Sequence, residues 1–203
     1  MRIARQILIT AAALLTLFPT AAADRATYLL ERLSEGFRAM KSYEVRFEIS
    51  AEDFSGNGSY TVDGDSYCLT LGDAEVFADA TTRYEVDNRR REVTIVEVDR
   101  ESRNLLNNPI RAFDFLDSQY TPTLVSEADG HAVVRLTPTT ENSASAGTVE
   151  VTISTSTMRP ESLDYDYDGE RVTVRIVGIG TPQTPLRRFD PKQYDGYEMI
   201  DFR

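Results

Sequence analysis

The chain is 203 residues long, 41% apolar and 27% charged, with a formal net charge of −11. That composition suits a folded globular protein. Its acidity argues against nucleic acid as a partner, since phosphate binding needs clustered Lys and Arg, and against anionic lipid surfaces. A single Cys and a single His leave no internal disulfide, no thiolate cage and no His-rich metal site, and no cofactor is expected.

The first 23 residues read as a leader. Arg2 and Arg5 form a charged start, residues 7–18 an apolar stretch, and Ala21-Ala22-Ala23 a small-residue cleavage site. The apolar stretch is too short to span a bilayer, and no Cys follows it to carry a lipid. The expectation is an exported, soluble chain with signal peptide 1–23 and a single domain over 24–203. That mature part holds 20 basic against 33 acidic residues.

Residues 26–40 have helical spacing: Ala26, Leu29, Leu30, Leu33, Phe37 and Met40 recur at three- and four-residue steps, with Glu31, Arg32, Glu35 and Arg38 on the other side. After Ser42 the period becomes two. Tyr43, Val45, Phe47 and Ile49 face one way and Glu44, Arg46 and Glu48 the other, the code of an antiparallel strand with one buried face. Tyr60 and Val62 lead through Asp63-Gly64 to Tyr67, Leu69 and Leu71, then to Val76-Phe77 and to Tyr84 and Val86. Over 92–98 the apolar phase slips from Val93 and Ile95 to Val96 and Val98, which predicts a bulge or a strand buried on both faces.

Asn108-Pro109 resembles a helix start, and Ile110, Phe113 and Leu116 give one apolar face, so a short helix is expected over 109–117. Strand alternation returns with Ala132, Val134 and Leu136 after Asp129-Gly130, then with Val149, Val151 and Ile153. Leu163, Tyr165 and Tyr167 follow, and Asp168-Gly169 turns the chain into Val172, Val174 and Ile176. Residues 137–147 read as a loop.

The expected fold is therefore mainly β (α+β): a strongly curved antiparallel incomplete barrel of about 11 strands, with the N-terminal helix and the short inserted helix as the elements that cover its apolar face. Its candidate inner face is Tyr43, Phe47, Tyr60, Tyr67, Leu69, Phe77 and Tyr84. Such a face lines a cavity or fills a core, and the sequence leaves both open.

These features together resemble the LolA family of periplasmic lipoprotein carriers and its relatives outside the proteobacteria. The resemblance runs through Met40-Lys41-Ser42-Tyr43, Val45-Arg46-Phe47, Gly58-Ser59-Tyr60, residues 79–86, the Pro109-led segment with Phe113 and Leu116, Phe189-Asp190-Pro191 and residues 196–201. It spans the mature chain and rests on order and pattern. It implies a hydrophobic cavity under a lid (Ile110, Phe113, Leu116) that shields the acyl chains of lipoproteins. It also implies a monomer that takes them from an inner-membrane lipoprotein-releasing transporter to an outer-membrane acceptor. Family members usually carry a Lys/Arg-Pro step after the second strand, whose Arg helps hold the lid. Here Asp63-Gly64-Asp65 stands there instead, and the role is not carried onto Arg46 or Arg83. Sensors of the same fold bind a lipid or lipoprotein without transporting it, which is the alternative reading.

Sharper chemistry has weak support. His131 as a hydrolytic base would need a nucleophile motif, and none is present; a surface residue at a hairpin is the simpler reading. Cys68 reads as a strand side chain. Asp164, Asp166 and Asp168 read as a solvated face rather than a Ca²⁺ site, because the loop glycine is missing. Arg89-Arg90-Arg91 reads as a charged turn that an acidic partner could use.

Overall fold

The computed structural model describes residues 18–116, 119–139, 147–167 and 169–203. Residues 1–17 of the expected leader, Asp117, Ser118, Asp168 and residues 140–146 of the expected loop lie outside these. The first element is helix α1 (Phe18–Arg38), which begins before the expected start at 26, so the proposed cleavage site falls within it. Its apolar stripe (Ala26, Leu29, Leu30, Leu33 and Phe37) is buried. Among the described residues no helix is long and apolar enough to cross a membrane.

Among the described residues twelve strands follow: β1 (Ser42–Ser50), β2 (Ser55–Asp63), β3 (Ser66–Leu71), β4 (Ala74–Ala78), β5 (Thr82–Asp87), β6 (Glu92–Glu97), β7 (Tyr120–Ala128), β8 (His131–Pro138), β9 (Thr148–Ser154), β10 (Arg159–Tyr167), β11 (Glu170–Gly180) and β12 (Glu198–Asp201). They form one sheet in the order β12-β6-β5-β4-β3-β2-β1-β11-β10-β9-β8-β7. Two meanders thus run outward from the central β1–β11 pair. Every pairing is antiparallel except β12 on β6. β7 and β12 are the two edges, so the curved sheet stays open as an incomplete barrel.

Alternation and register together build the inner face. Val45 pairs with Tyr60, Tyr60 with Leu69 and Leu69 with Val76 on one side of the centre; Ile49 pairs with Val174, Val174 with Leu163, Leu163 with Val151 and Val151 with Val134 on the other. These side chains and the α1 stripe form one buried cluster, so the interior around the helix is a packed core. Asp129 (φ 51°) and Gly130 (φ 84°) make the two-residue turn between β7 and β8, as an Asp-Gly hairpin requires.

Three elements depart from expectation. Residues 109–117 form no regular helix among the described residues. Arg111 N–H bonds to the Asn108 carbonyl and Asp114 N–H to that of Arg111, which are tight i→i+3 turns. So short a segment cannot hold a helix by local bonds alone. Asn108 donates its side-chain amide to the Asp99 carbonyl instead of capping, and Arg103 takes the Asp114 carbonyl at 2.6 Å. Second, β7 is a strand the apolar pattern did not reveal. At an edge it carries Pro122 without losing a ladder bond, and a bulge at Val125 breaks its alternation. Third, β12 brings the C-terminal segment back along β6 in parallel. β6 itself pairs without a bulge; its phase slip reflects apolar neighbours on both faces.

Candidate functional site

Between β6 and β7, residues 98–116 cross the inner face as an irregular cover, in the place where the lid was expected. Leu105, Ala112, Phe113 and Phe115 point down into the main core, and Phe113 stacks on Phe37 of α1 at 4.2 Å between centroids. Ile110 packs against the same cluster, whereas Leu116 is exposed. Of the three expected lid residues, Ile110 and Phe113 therefore face inward and Leu116 does not. Leu105, Ala112 and Phe115 were missed, because without a helix they follow no period.

What holds the lid is a small set of side chains reaching its backbone. Arg83 on β5 is buried and donates to the carbonyls of Leu106 (3.1 Å) and Asn107 and to the Tyr67 hydroxyl. Glu85 pairs with its Nε at 2.7 Å. Tyr67 donates to the Asn107 carbonyl at 2.9 Å, and the Tyr165 hydroxyl accepts from Leu105 N–H at 3.2 Å. At the other end Asp114 accepts from Arg38 of α1 at 2.6 Å. Burial pushes the Tyr67 phenol up, while Arg83 beside it pulls the other way. Sequence spacing had given no means of assigning a tether; the register does, since Ala78 faces Arg83 across β4–β5 and places the guanidinium on the inner side.

Register also divides the candidate inner face. Tyr43, Phe47, Tyr60, Tyr67 and Leu69 lie together in the main cluster. Phe77 and Tyr84 lie on the opposite side of the sheet: Cys68, Phe77, Tyr84 and Ile95 face one another in consecutive strands and form a second cluster. There Tyr84 stacks on Phe189 at 4.1 Å, and Phe189 on Tyr194 at 5.3 Å. The adjacent residues Val76 and Phe77 had left the phase of β4 ambiguous, because each is apolar. The C-terminal motif explains itself here. Asp190 caps the turn Pro191–Tyr194 by accepting from Lys192 N–H, and the segment lies over the outer face as a second cover.

One groove of about 360 Å³ stays open on the inner side near the β6 end, where Leu69, Leu71, Val76 and Leu106 line it together with the charged Glu75, Arg83, Glu85, Asp87, Arg90 and Glu92. Its volume is at the small end of ligand pockets, which run roughly 300–1,000 Å³. A second groove of about 420 Å³ opens on the outer face between Arg46, Phe47, Glu48, Asn57, Gly58, Ser59, Thr70 and Val177.

The remaining candidates have plain structural places. Among the described residues the exposed His131 ring pairs with Glu161 at 2.6 Å and with no serine, threonine or cysteine. Asp164 takes Arg171 and Thr173, Asp166 accepts from Gly169 N–H, and Asp168 lies outside the described residues. Asp87 caps Arg89 and Arg90, and Arg91 lies over the Tyr197 ring at 5.3 Å. Cys68 is a buried thiol whose pKa burial pushes up.

Solved structures share this architecture. An uncharacterised conserved protein from Thermus thermophilus aligns over 88% of this chain and 99% of its own, with TM-score 0.56 and 8% identity. MucB aligns over 87% of this chain and 66% of its own, with TM-score 0.51 and 17% identity. A LolA superfamily protein from Nitrosomonas europaea covers 83% of this chain and 96% of its own, with TM-score 0.42 and 14% identity. The likeness is one of fold. No protein-family model matches the chain, and no curated protein matches it significantly.

Proposed function

We propose that this protein is a periplasmic carrier, not an enzyme. It binds the acyl chains of lipoproteins on the inner face beneath the lid and shuttles them toward the outer membrane. The observation that carries the reading is the construction of the lid. A segment without regular structure covers a continuous apolar face and is tied to the sheet by a few side-chain bonds to its backbone. Apolar burial favours closure, yet an acyl chain offers the same kind of burial, about 0.8 kcal/mol per CH₂. One kind of apolar surface can therefore replace the other when the ties release. The filled interior supports a resting, closed state in which the 360 Å³ groove keeps one end of the inner face open. Arg83, from a different strand than the family's arginine, is the tether in this reading.

The wider reading includes export through the leader 1–23, a single domain over 24–203, loading from an inner-membrane transporter and delivery to an outer-membrane acceptor. The test is mass spectrometry of protein isolated from a periplasm without detergent, followed by transfer of a lipopeptide to acceptor vesicles. Co-purified acylated cargo and transfer support the carrier. Cargo held without transfer favours a sensor of the same fold. A protein that arrives bare and also rejects a fluorescent fatty acid and a lipopeptide refutes acyl binding.

A further inference from the structure

The inner face carries tyrosines on five strands: Tyr67 on β3, Tyr60 on β2, Tyr43 on β1, Tyr165 on β10 and Tyr120 on β7, all buried. Two of their hydroxyls are engaged by the lid backbone, Tyr67 at the Asn107 carbonyl and Tyr165 at Leu105 N–H. Tyr60 differs. It is 1% exposed and its hydroxyl has no hydrogen-bond partner. An unpaired buried hydroxyl costs stability that a phenylalanine of the same shape would not. Burial, with the phenols of Tyr43 and Tyr165 nearby, pushes its pKa well above the ordinary value, so it is a neutral O–H and can donate. The register seats Tyr60 opposite Leu69, and Leu69 lines the inner groove. The ring therefore stands one strand from that groove, in the same buried cluster as Leu105, Phe113 and Phe115 of the lid.

We propose that the Tyr60 hydroxyl is the hydrogen-bond donor for an acyl carbonyl, the ester or amide C=O at the head of a chain laid on the inner face once the lid has lifted. The proposal rests on the acyl-binding reading and adds a ligand class to it. An alkyl chain asks only for apolar surface, whereas an acyl chain brings a carbonyl that is costly to bury unpaired. The sheet's own N–H groups around Tyr60 are committed to the β1–β2–β3 ladder, so a side-chain donor is required. Tyr60 makes the face selective for O-acyl and N-acyl chains over ethers of equal length.

The test compares dioctanoylglycerol with its dioctyl ether, binding each to the wild-type protein and to Tyr60→Phe. A synthetic diacylated lipopeptide serves as a further ligand. The expected result is an ester preference of about three- to tenfold in the wild type, the size of one neutral hydrogen bond. Tyr60→Phe removes it by weakening ester binding to the level of the ether. The carbonyl stretch of ¹³C-labelled ester moves to lower frequency on the wild type and not on the variant. Without ligand, Tyr60→Phe is as stable as the wild type or more so. If the lipopeptide outbinds dioctanoylglycerol and loses affinity equally in the variant, the carbonyl belongs to a lipoprotein; if the two bind alike, to a membrane lipid; either supports the anchor. Ester and ether binding with equal affinity, or a preference that survives Tyr60→Phe, overturns the anchor while leaving acyl binding intact. Marked destabilisation of the ligand-free variant also overturns it, since the hydroxyl would then have a resting partner. Binding of none of the ligands overturns the anchor and acyl binding together.

Discussion

Replacing Arg83 by methionine isolates the tether. The change keeps an apolar stem of similar length and removes the guanidinium, while the half-buried Glu85 left behind faces the open groove, where water reaches it. The Leu106 carbonyl loses its donor from Arg83, and the Asn107 carbonyl retains the Tyr67 hydroxyl at 2.9 Å. A hydrogen bond from a charged donor is worth roughly 1.5–3 kcal/mol, and a buried carbonyl left without a partner costs about 1–3 kcal/mol. Water reaching the loosened segment returns part of that, so the net cost to lid closure is about 2–3 kcal/mol. At 1.4 kcal/mol per factor of ten this is about 30- to 150-fold in the closed-to-open ratio. Hydrogen exchange followed by mass spectrometry reads it directly. Amides of residues 105–116 should exchange faster by that factor, while peptides from β8 and β9, whose inner residues are completely buried, should hold their protection. Unchanged exchange over 105–116 would show that apolar packing alone holds the lid. An equal loss in β8 and β9 would show that Arg83 supports the whole fold rather than one cover.

Other perturbations test other parts of the reasoning. At Gly58 a Cβ would collide with the Phe47 ring and come within 2.9 Å of the Thr70 carbonyl oxygen, so Gly58→Ala should cost roughly 1–3 kcal/mol, seen as a lower urea midpoint at unchanged slope. Phe77→Ala should remove about 3 kcal/mol of outer-face packing and expose the chain after Arg187 and Arg188 to trypsin. Acyl binding should not change, and a loss of binding in a folded variant would return Phe77 to the inner face. Glu75 tests the electrostatics of the outer cluster. Burial pushes its carboxyl up, but hydrogen bonds from Asn88, Arg187 and Tyr194 together outweigh this and hold it below the usual range. Its contribution is thus complete above the unfolded value near 4.3 and is lost as pH falls through the lower folded value. Glu75→Gln should flatten that acid limb in urea midpoints measured from pH 3 to 6; an unchanged limb would place the titration elsewhere.

The period-two code of Tyr43 to Ile49 and of Val149 to Ile153 was enough by itself to specify strands, faces and hairpins, because alternation on a pleated backbone leaves one solution when one side must be dry. The stripe from Ala26 to Phe37 specified the helix in the same way. Five of the seven inner-face candidates followed from that code alone. Tertiary structure decided the rest. Where Val76 and Phe77 stand side by side, both phases were apolar, and only the register with β3 and β5, together with the cover supplied by Phe189 and Tyr194, turned Phe77 and Tyr84 outward. The Pro109 segment had helical spacing and became turns, because the Asp114 carbonyl and the Asn108 side chain found partners at Arg103 and Asp99 in the preceding loop. Arg83 as tether and Tyr60 as an unpaired hydroxyl depend on which backbone groups arrive opposite them. Local periodicity fixes the direction of a side chain. The chain's long-range closure fixes what it meets.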